Sequence, residues 1–204
     1  MTLTPAMIAD VLRGDIDRRS FSPSLPEKFE VVSERIVELP EPSAYAVKVA
    51  NRLDRAIQSY LGQHDIGETD FESLFHIPQP EDEGRNRRPD LAFVTYDRWP
   101  KDRPWSFRGI ARDVVPDIAV EVVSPTDPAD ELIAKVREYL RGGVRLVWVV
   151  YPLVREVHAY QPGSRQVCVF FGEDDLDAAD ILPGFRTPTA ALFPPVEPPA
   201  APAS

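Results

Sequence analysis

A single cysteine, Cys168, stands in the whole chain, so no intrachain disulfide can form, and nothing points to an oxidising compartment. The opening MTLTPAMIADVLRGD has no basic stretch followed by an apolar one, which excludes a secretory signal of the usual kind. No apolar run approaches the roughly 20 residues that span a bilayer. Positive charge is scarce: 23 Lys and Arg stand against 33 Asp and Glu, a formal net charge of −10. That balance argues against broad binding to polyanions but leaves room for a local basic groove. There is no glycine-rich phosphate loop, no dinucleotide fingerprint and no paired CxxC. His64, His76 and His158 are scattered without metal-ligand spacing, and nothing marks a nucleophile elbow. These absences together predict a cytoplasmic protein without a membrane anchor.

What is present is globular. Hydrophobic residues make up 43% of 204 positions, enough for one core. The expected division is a leader over 1–26, one domain over 27–193, and a Pro- and Ala-rich disordered tail over 194–204. The centre of that domain is VVPDIAVEVVSP, Val114 to Pro125. Its β-branched apolar run reads as a strand covered on both faces. Glu121 interrupts it, and a carboxylate there is costly unless it is paired or changes protonation. Alternation places Asp117, Ala119, Glu121 and Val123 on one face.

Other elements are legible around it. FEVVSERIVELP reads as two short strands about a turn at Ser33-Glu34, and Pro5 to Leu12 as a short helix. Ser43 caps a helix whose stripe is Val47, Ala50, Leu53, Ile57 and Leu61, closed by Gly62. FESLFHIP and DLAFVTY read as strands, and PEDEGRNRR between them as a charged loop. DRWPKDRPWSFRGIARD is an irregular loop with Trp99 and Trp105. Asp127, Pro128 and Asp130 have the spacing of an N-cap, first turn and third position. The helix they open points Leu132, Ile133, Val136 and Leu140 inward and ends at Gly142-Gly143. RLVWVVY, VREVHAY and RQVCVFF follow as strands, then an acidic loop, GEDDLDAADILPGF. The order predicts an α/β (α+β) domain with a mixed central sheet, and a right-handed parallel crossover joining the Glu121 and Trp148 strands.

Chemistry is concentrated in few residues. Asp90 opens one strand, Glu121 sits in another, and Lys135 and Tyr139 share a helix face four residues apart. Hard divalent cations take oxygen ligands, and Mg²⁺ commonly needs only one or two carboxylates besides water and phosphate. A nearby lysine would stabilise charge developing on a phosphate. A structural ion-pair network accounts for the same residues at least as well. Glu131 and Lys135 are spaced as a helix-surface pair worth about 0.2–0.5 kcal/mol. Asp90 and Asp117 each follow a proline and suit turns. Arg85, Arg87 and Arg88 read as a solvated loop paired with Glu81, Asp82 and Glu83 before they read as a phosphate grip. Trp99 and Trp105 suit a small satellite core as well as a stacking platform.

FEVVSERIVELPEPS, RRPDLAFV, PDIAVEVVSP, ELIAKVREYLRGGVRLVWVVYP and REVHAY, in that order, resemble the Uma-type restriction endonuclease family. That family is a branch of the PD-(D/E)XK nuclease superfamily. The resemblance runs from about Phe29 to Tyr160. It implies a restriction endonuclease-like core with a mixed sheet flanked by helices, and a Mg²⁺-dependent site at which Mn²⁺ can substitute. Asp90 matches the PD aspartate and Glu121 the glutamate of the second half-motif. The superfamily's lysine two residues later is replaced by Val123, and Lys135 on the next helix matches the family's lysine, with Tyr139 after it. Asp90 and Glu121 are the implied metal ligands. The implied activity is endonucleolytic hydrolysis of phosphodiester bonds, with DNA as the nucleic-acid substrate and, by analogy, a homodimer. The chain departs from the family pattern at the first hairpin, where Ser33, Glu34 and Arg35 replace Asp-Gly-Glu, and at Ala46 and Tyr151. Those departures favour an alternative: a catalytically degraded nuclease-fold protein that serves as a binding module.

Overall fold

The computed structural model describes residues 4–17, 25–125 and 127–195. In chain order its elements are α1 (Pro5–Arg13), β1 (Phe29–Val32), β2 (Arg35–Glu38), α2 (Ala44–Leu61), β3 (Gly67–Phe71), β4 (Leu74–His76), β5 (Asn86–Arg87), β6 (Leu91–Thr95), β7 (Ala111–Arg112), β8 (Ile118–Val122), α3 (Ala129–Arg141), β9 (Leu146–Tyr151), β10 (Glu156–Tyr160), β11 (Cys168–Phe171), β12 (Asp175–Leu176) and β13 (Thr187–Pro188). The mixed α/β architecture predicted from the sequence is present. Among the described residues, one sheet has the order β11-β10-β9-β8-β6-β3 and a second the order β2-β1-β5-β4-β7. β8 and β9 are parallel neighbours joined by α3, as the crossover required. β6 is antiparallel to β8, with Leu91 opposite Val120.

The alternation in β8 sorts its side chains between two cores. Ile118, Val120 and Val122 join α2 and the C-terminal segment on one face. Ala119 joins Val136, Tyr139 and Phe75 on the other. Glu121 points to this second face, beneath α3. A third cluster packs Ile8, Val11 and Leu12 of α1 against Phe29, Val31 and Leu74.

Four local expectations need correction. FESLFHIP is not one strand: Glu72 adopts φ 43°, and the chain leaves the large sheet after β3 to enter the small one as β4. Asp127 does not cap α3. Pro128 occupies the cap position without a side-chain bond, while the Asp127 carboxylate accepts the Ser124 N–H at 2.7 Å. The acidic loop at 172–185 also supplies core, because Leu176, Ala178, Ile181, Leu182 and Phe185 are buried between its exposed acids. The charged loop before Asp90 is solvated only in its acidic half, where Glu81 and Glu83 are exposed; its basic half contributes β5 and turns inward, with Arg85 only 5% exposed. The predicted tail lies mostly on 196–204, outside the described residues.

The tryptophan loop does not form a satellite core of its own: Trp99 joins the core beneath α3 with Phe75, Val136 and Tyr139. Trp99 is buried, Trp105 is exposed, and their rings lie 5.2 Å apart. The Arg112 guanidinium sits against both rings and pairs with Asp70 and Glu68. No described helix is long and apolar enough to cross a membrane.

Candidate active site

Glu121 and Asp90 meet because β6 and β8 are antiparallel in a register that sets Leu91 across from Val120. Asp90 N–H donates to the Val120 carbonyl at 3.0 Å. Its carboxylate returns across the pair to accept the Val122 N–H at 2.6 Å. The two acids thus stand side by side at the same end of the sheet. α3 lies over them, and helical spacing brings Lys135, Glu138 and Tyr139 onto its sheet-facing side. Lys135 Nζ donates to Glu121 Oε2 at 3.0 Å, and the Tyr139 hydroxyl donates to Glu121 Oε1 at 2.7 Å. Lys135 does not serve as the surface partner of Glu131.

Lys135 has a second partner, Glu30 of β1, at 3.0 Å. Glu30 is 2% exposed and also accepts from Arg87 at 2.5 Å and from the Arg88 N–H at 2.9 Å. Arg87 continues to Glu138, which also takes Arg85 at 2.5 Å. Arg85 ends on Asp82 at 2.9 Å, and Asp82 holds the Ser33 N–H of the first hairpin at 2.6 Å. The result is a chain of alternating charge: Asp82, Arg85, Glu138, Arg87, Glu30, Lys135, Glu121. It links the small sheet to the large one through α3. The arginines that seemed partners of a surface loop are therefore interior, and only Asp82 of the three expected acids engages Arg85.

Burial and these neighbours set the protonation of the cluster. Glu121 is pushed up to about 7, chiefly by burial, with Asp90 and Glu30 adding repulsion and Lys135 and Tyr139 opposing it. Burial raises Asp90 as well; the Val122 N–H and Lys135 oppose the rise, and Glu72 and Asp127 reinforce it. Burial also pushes Glu30 upward, but Lys135, Arg87 and the Arg88 N–H outweigh it and hold the carboxyl below its ordinary value. Lys135 is firmly an ammonium: burial opposes the charge, and Glu121 and Glu30 more than restore it. Tyr139 is held well above the usual phenol range by burial and by Glu121.

The donor chemistry of this cluster suits a hard cation. Asp90, Glu121, Glu30, Glu138 and Asp82 are five carboxylates facing three cations, Lys135, Arg87 and Arg85. Fully ionised, those side chains together carry two negative charges in excess. Among the described residues, no group of three or more His, Cys, Asp or Glu is arranged to hold a metal ion. Asp90 and Glu121 are two, which is the number Mg²⁺ commonly takes from protein, and ionised carboxylates retain lone pairs beyond those already engaged.

Glu30 and Glu138 were missed by sequence reasoning, and Arg87 was read as part of a solvated loop. The only signal was Glu30 alternating with Phe29 and Val31, which reads as a solvent-facing acid until α3 is known to cover that face. Glu34, one of the residues at which the first hairpin departs from the family pattern, sits in the turn at φ 60°, exposed to solvent. It borders a cavity of about 1140 Å³ behind β1, lined by α1 and the tryptophan loop, which contains none of Asp90, Glu121 or Lys135. Arg35 is exposed on β2, and Ala46 is buried in α2. Tyr151 ends β9 against His158, ring centroids 4.5 Å apart.

Comparison with known proteins finds a family model and solved structures that resemble this chain. A model of the family described as "Uma2: Putative restriction endonuclease" matches residues 22–191. The crystal structure of a putative nuclease belonging to DUF820 from Anabaena variabilis superposes with a TM-score of 0.72 at 16% identity, covering 94% of this chain and 98% of that one. No curated protein matches.

Proposed function

The chain belongs to the Uma2 family, and from that premise we propose that it is a divalent-metal-dependent endonuclease hydrolysing phosphodiester bonds in DNA. One observation carries the reading: two adjacent carboxylates and a lysine converge in a buried network whose five carboxylates outnumber the three cations named with them. Asp90 and Glu121 would hold Mg²⁺, which when bound supplies Lewis-acid activation of the phosphate and of water. Lys135 is a fixed ammonium beside them, placed to stabilise charge gathering on the phosphoryl oxygens. Tyr139 fixes the Glu121 carboxylate by its 2.7 Å hydrogen bond. Glu30 positions Lys135 from the opposite side, and Arg87 neutralises Glu30 so that the lysine is shared rather than captured. The acidic surroundings, Glu72 and Asp127 included, repel a polyanion unless cations accompany it.

A second reading has its own observation. Both Glu121 oxygens already accept hydrogen bonds, from Lys135 and Tyr139, as in a sealed structural ion pair. That favours a non-catalytic binding module of the same fold. Plasmid cleavage with Mg²⁺ and Mn²⁺, run beside identically prepared Glu121→Ala protein, separates the two. Cleavage by the wild type alone supports the nuclease. Equal cleavage by both proteins assigns the activity to a contaminant. No cleavage by either, with no metal effect on stability, leaves the binding module.

A further inference from the structure

The cavity of about 1140 Å³ behind β1 takes no part in the Asp90–Glu121 site. It is slightly larger than an ordinary small-ligand site, roughly 300–1,000 Å³, so a ligand fits there with water beside it. Its walls are fixed by the fold. Ile8 and Leu12 of α1 pack with Val31 and Leu74 along one side. The Ile110 N–H donates to the Leu12 carbonyl at 3.1 Å, which ties the tryptophan loop to the end of α1. Gly14, at φ 83°, extends that contact: a Cβ there would stand 2.4 Å from the Gly109 nitrogen.

Charge on the lining is unbalanced. Glu34, Asp70, Glu81, Asp82, Glu83 and Asp113 face Arg13, Arg103 and Arg112. Each of these arginines is already engaged: Arg13 by Asp10 and Asp15, Arg103 by Asp113, and Arg112 by Asp70 and Glu68. Glu81 reaches Arg141 only at 3.6 Å, while Glu34 and Glu83 pair with no cation among the described residues. Beside them stands a deeper acid. Asp82 is 6% exposed; its Oδ2 accepts from Arg85 and from the Ser33 N–H, but its Oδ1 has no partner among the described residues. A buried carboxylate oxygen left unmatched is costly. The three acids are held together, because Glu83 follows Asp82 and the Ser33 bond brings Glu34 to it.

We propose that this cavity is a second ligand site, which takes a small organic cation: a protonated amine or guanidine on an apolar body. The charged head sits among Glu34, Glu83 and Asp82 and gives Asp82 Oδ1 the donor it lacks. The body lies against α1, where Ala6, Ala9 and Leu12 line the cavity. An anion is a poorer fit. Trp99 Nε1 and Arg112 Nε also lack acceptors, but Arg112 is neutralised by Asp70 and Glu68 and enclosed by the rings of Phe75, Trp99 and Trp105. A nucleic acid would bring its phosphates against unpaired carboxylates. The site is therefore distinct in chemistry, as well as in place, from the one proposed for phosphodiester cleavage.

Titration calorimetry of the full chain tests this with probes of one shape and different charge: phenethylammonium, 2-phenylethanol and 3-phenylpropionate. The ammonium should bind once per chain, raise the melting temperature and weaken with added salt. The alcohol should bind about tenfold more weakly or worse, and the propionate not at all. Glu34→Gln with Glu83→Gln, both at exposed positions, should lower the affinity for the ammonium by about fivefold or more. The same variant should leave the affinity for the alcohol and the unliganded melting temperature unchanged. Ala9→Trp, on the cavity side of α1, should fill the space and abolish binding while keeping the wild-type circular dichroism. Equal affinity for ammonium and alcohol overturns the proposal. So does an affinity indifferent to the double variant or to Ala9→Trp, or no binding of the ammonium at millimolar concentration. Binding of the peptide acetyl-Leu-Arg-Leu-amide without any response to the free ammonium also overturns it, in favour of a docking site for a protein segment. None of these readouts involves nucleic-acid cleavage, so the cavity and the nuclease reading stand or fall separately.

Discussion

Glu121→Gln is the most informative perturbation of the cluster, because its effect must depend on pH. In the folded chain Glu121 titrates near 7, against an ordinary value of 4.5. Between those values the native state holds a proton that the unfolded state has released. Stability therefore falls as pH rises through that window, by about 1.4 kcal/mol per pH unit, or about 3 kcal/mol in all. Below 4.5 this contribution is fully present; above 7 it is gone. Other carboxylates impose their own trends, so the quantity to follow is the difference between wild type and Glu121→Gln. Chemical denaturation at intervals from pH 4.5 to 8.5 should show the wild type losing about 3 kcal/mol relative to the variant. Mn²⁺ supplies the second half of the test. At pH 8 and 100 times its Kd it should return about 2.7 kcal/mol to the wild type, a rise in melting temperature of roughly 5–10 °C for a domain of this size. The variant should show no such rise. A pH-independent difference, together with equal metal responses, would refute both the shifted carboxyl and the metal site.

Lys135→Met would leave Glu30 and Glu121 buried without their shared cation; a loss of about 3–5 kcal/mol is expected by denaturant titration, along with all cleavage. Tyr139→Phe removes one hydrogen bond to a carboxylate, which should cost about 1.5–3 kcal/mol at pH 8, where Glu121 is ionised, and less at pH 5. Asp117→Ala should destabilise strongly with an unchanged Mn²⁺ response. Asp117 lies at the other end of β8, 1% exposed, where it accepts from Thr95 and pairs with Arg98 and Arg145.

Much of this architecture was legible in the sequence, for physical reasons. β8 and β9 announced themselves because a strand buried on both faces must be apolar nearly throughout. α2 was legible from a helical stripe and from Ser43, whose hydroxyl accepts the Ala46 N–H at 3.1 Å. Glu121 drew attention because an acid in such a strand has to be explained. The rest depended on what covers what. Glu30 in FEVV and the arginines before Asp90 carry no local mark of burial, since a charged residue that faces a second layer looks like one that faces water. The C-terminal segment was misread for the converse reason. Its five acids are interspersed among its apolar residues and mask them, yet Leu176, Ile181, Leu182 and Phe185 complete the α2 core.

The alternating row from Asp82 to Glu121 bears on how such a site can be lost over generations. Each inner member neutralises two neighbours, so changing one strands two buried charges of the opposite sign. Drift by single steps is therefore blocked, and only coupled replacements pass. In a collection of homologous sequences the expected signature is covariation of positions 30 with 87, 87 with 138, and 82 with 85. A lineage that had abandoned the chemistry would show the row replaced together, as a block of apolar residues. A lineage still using it would keep every charge in place.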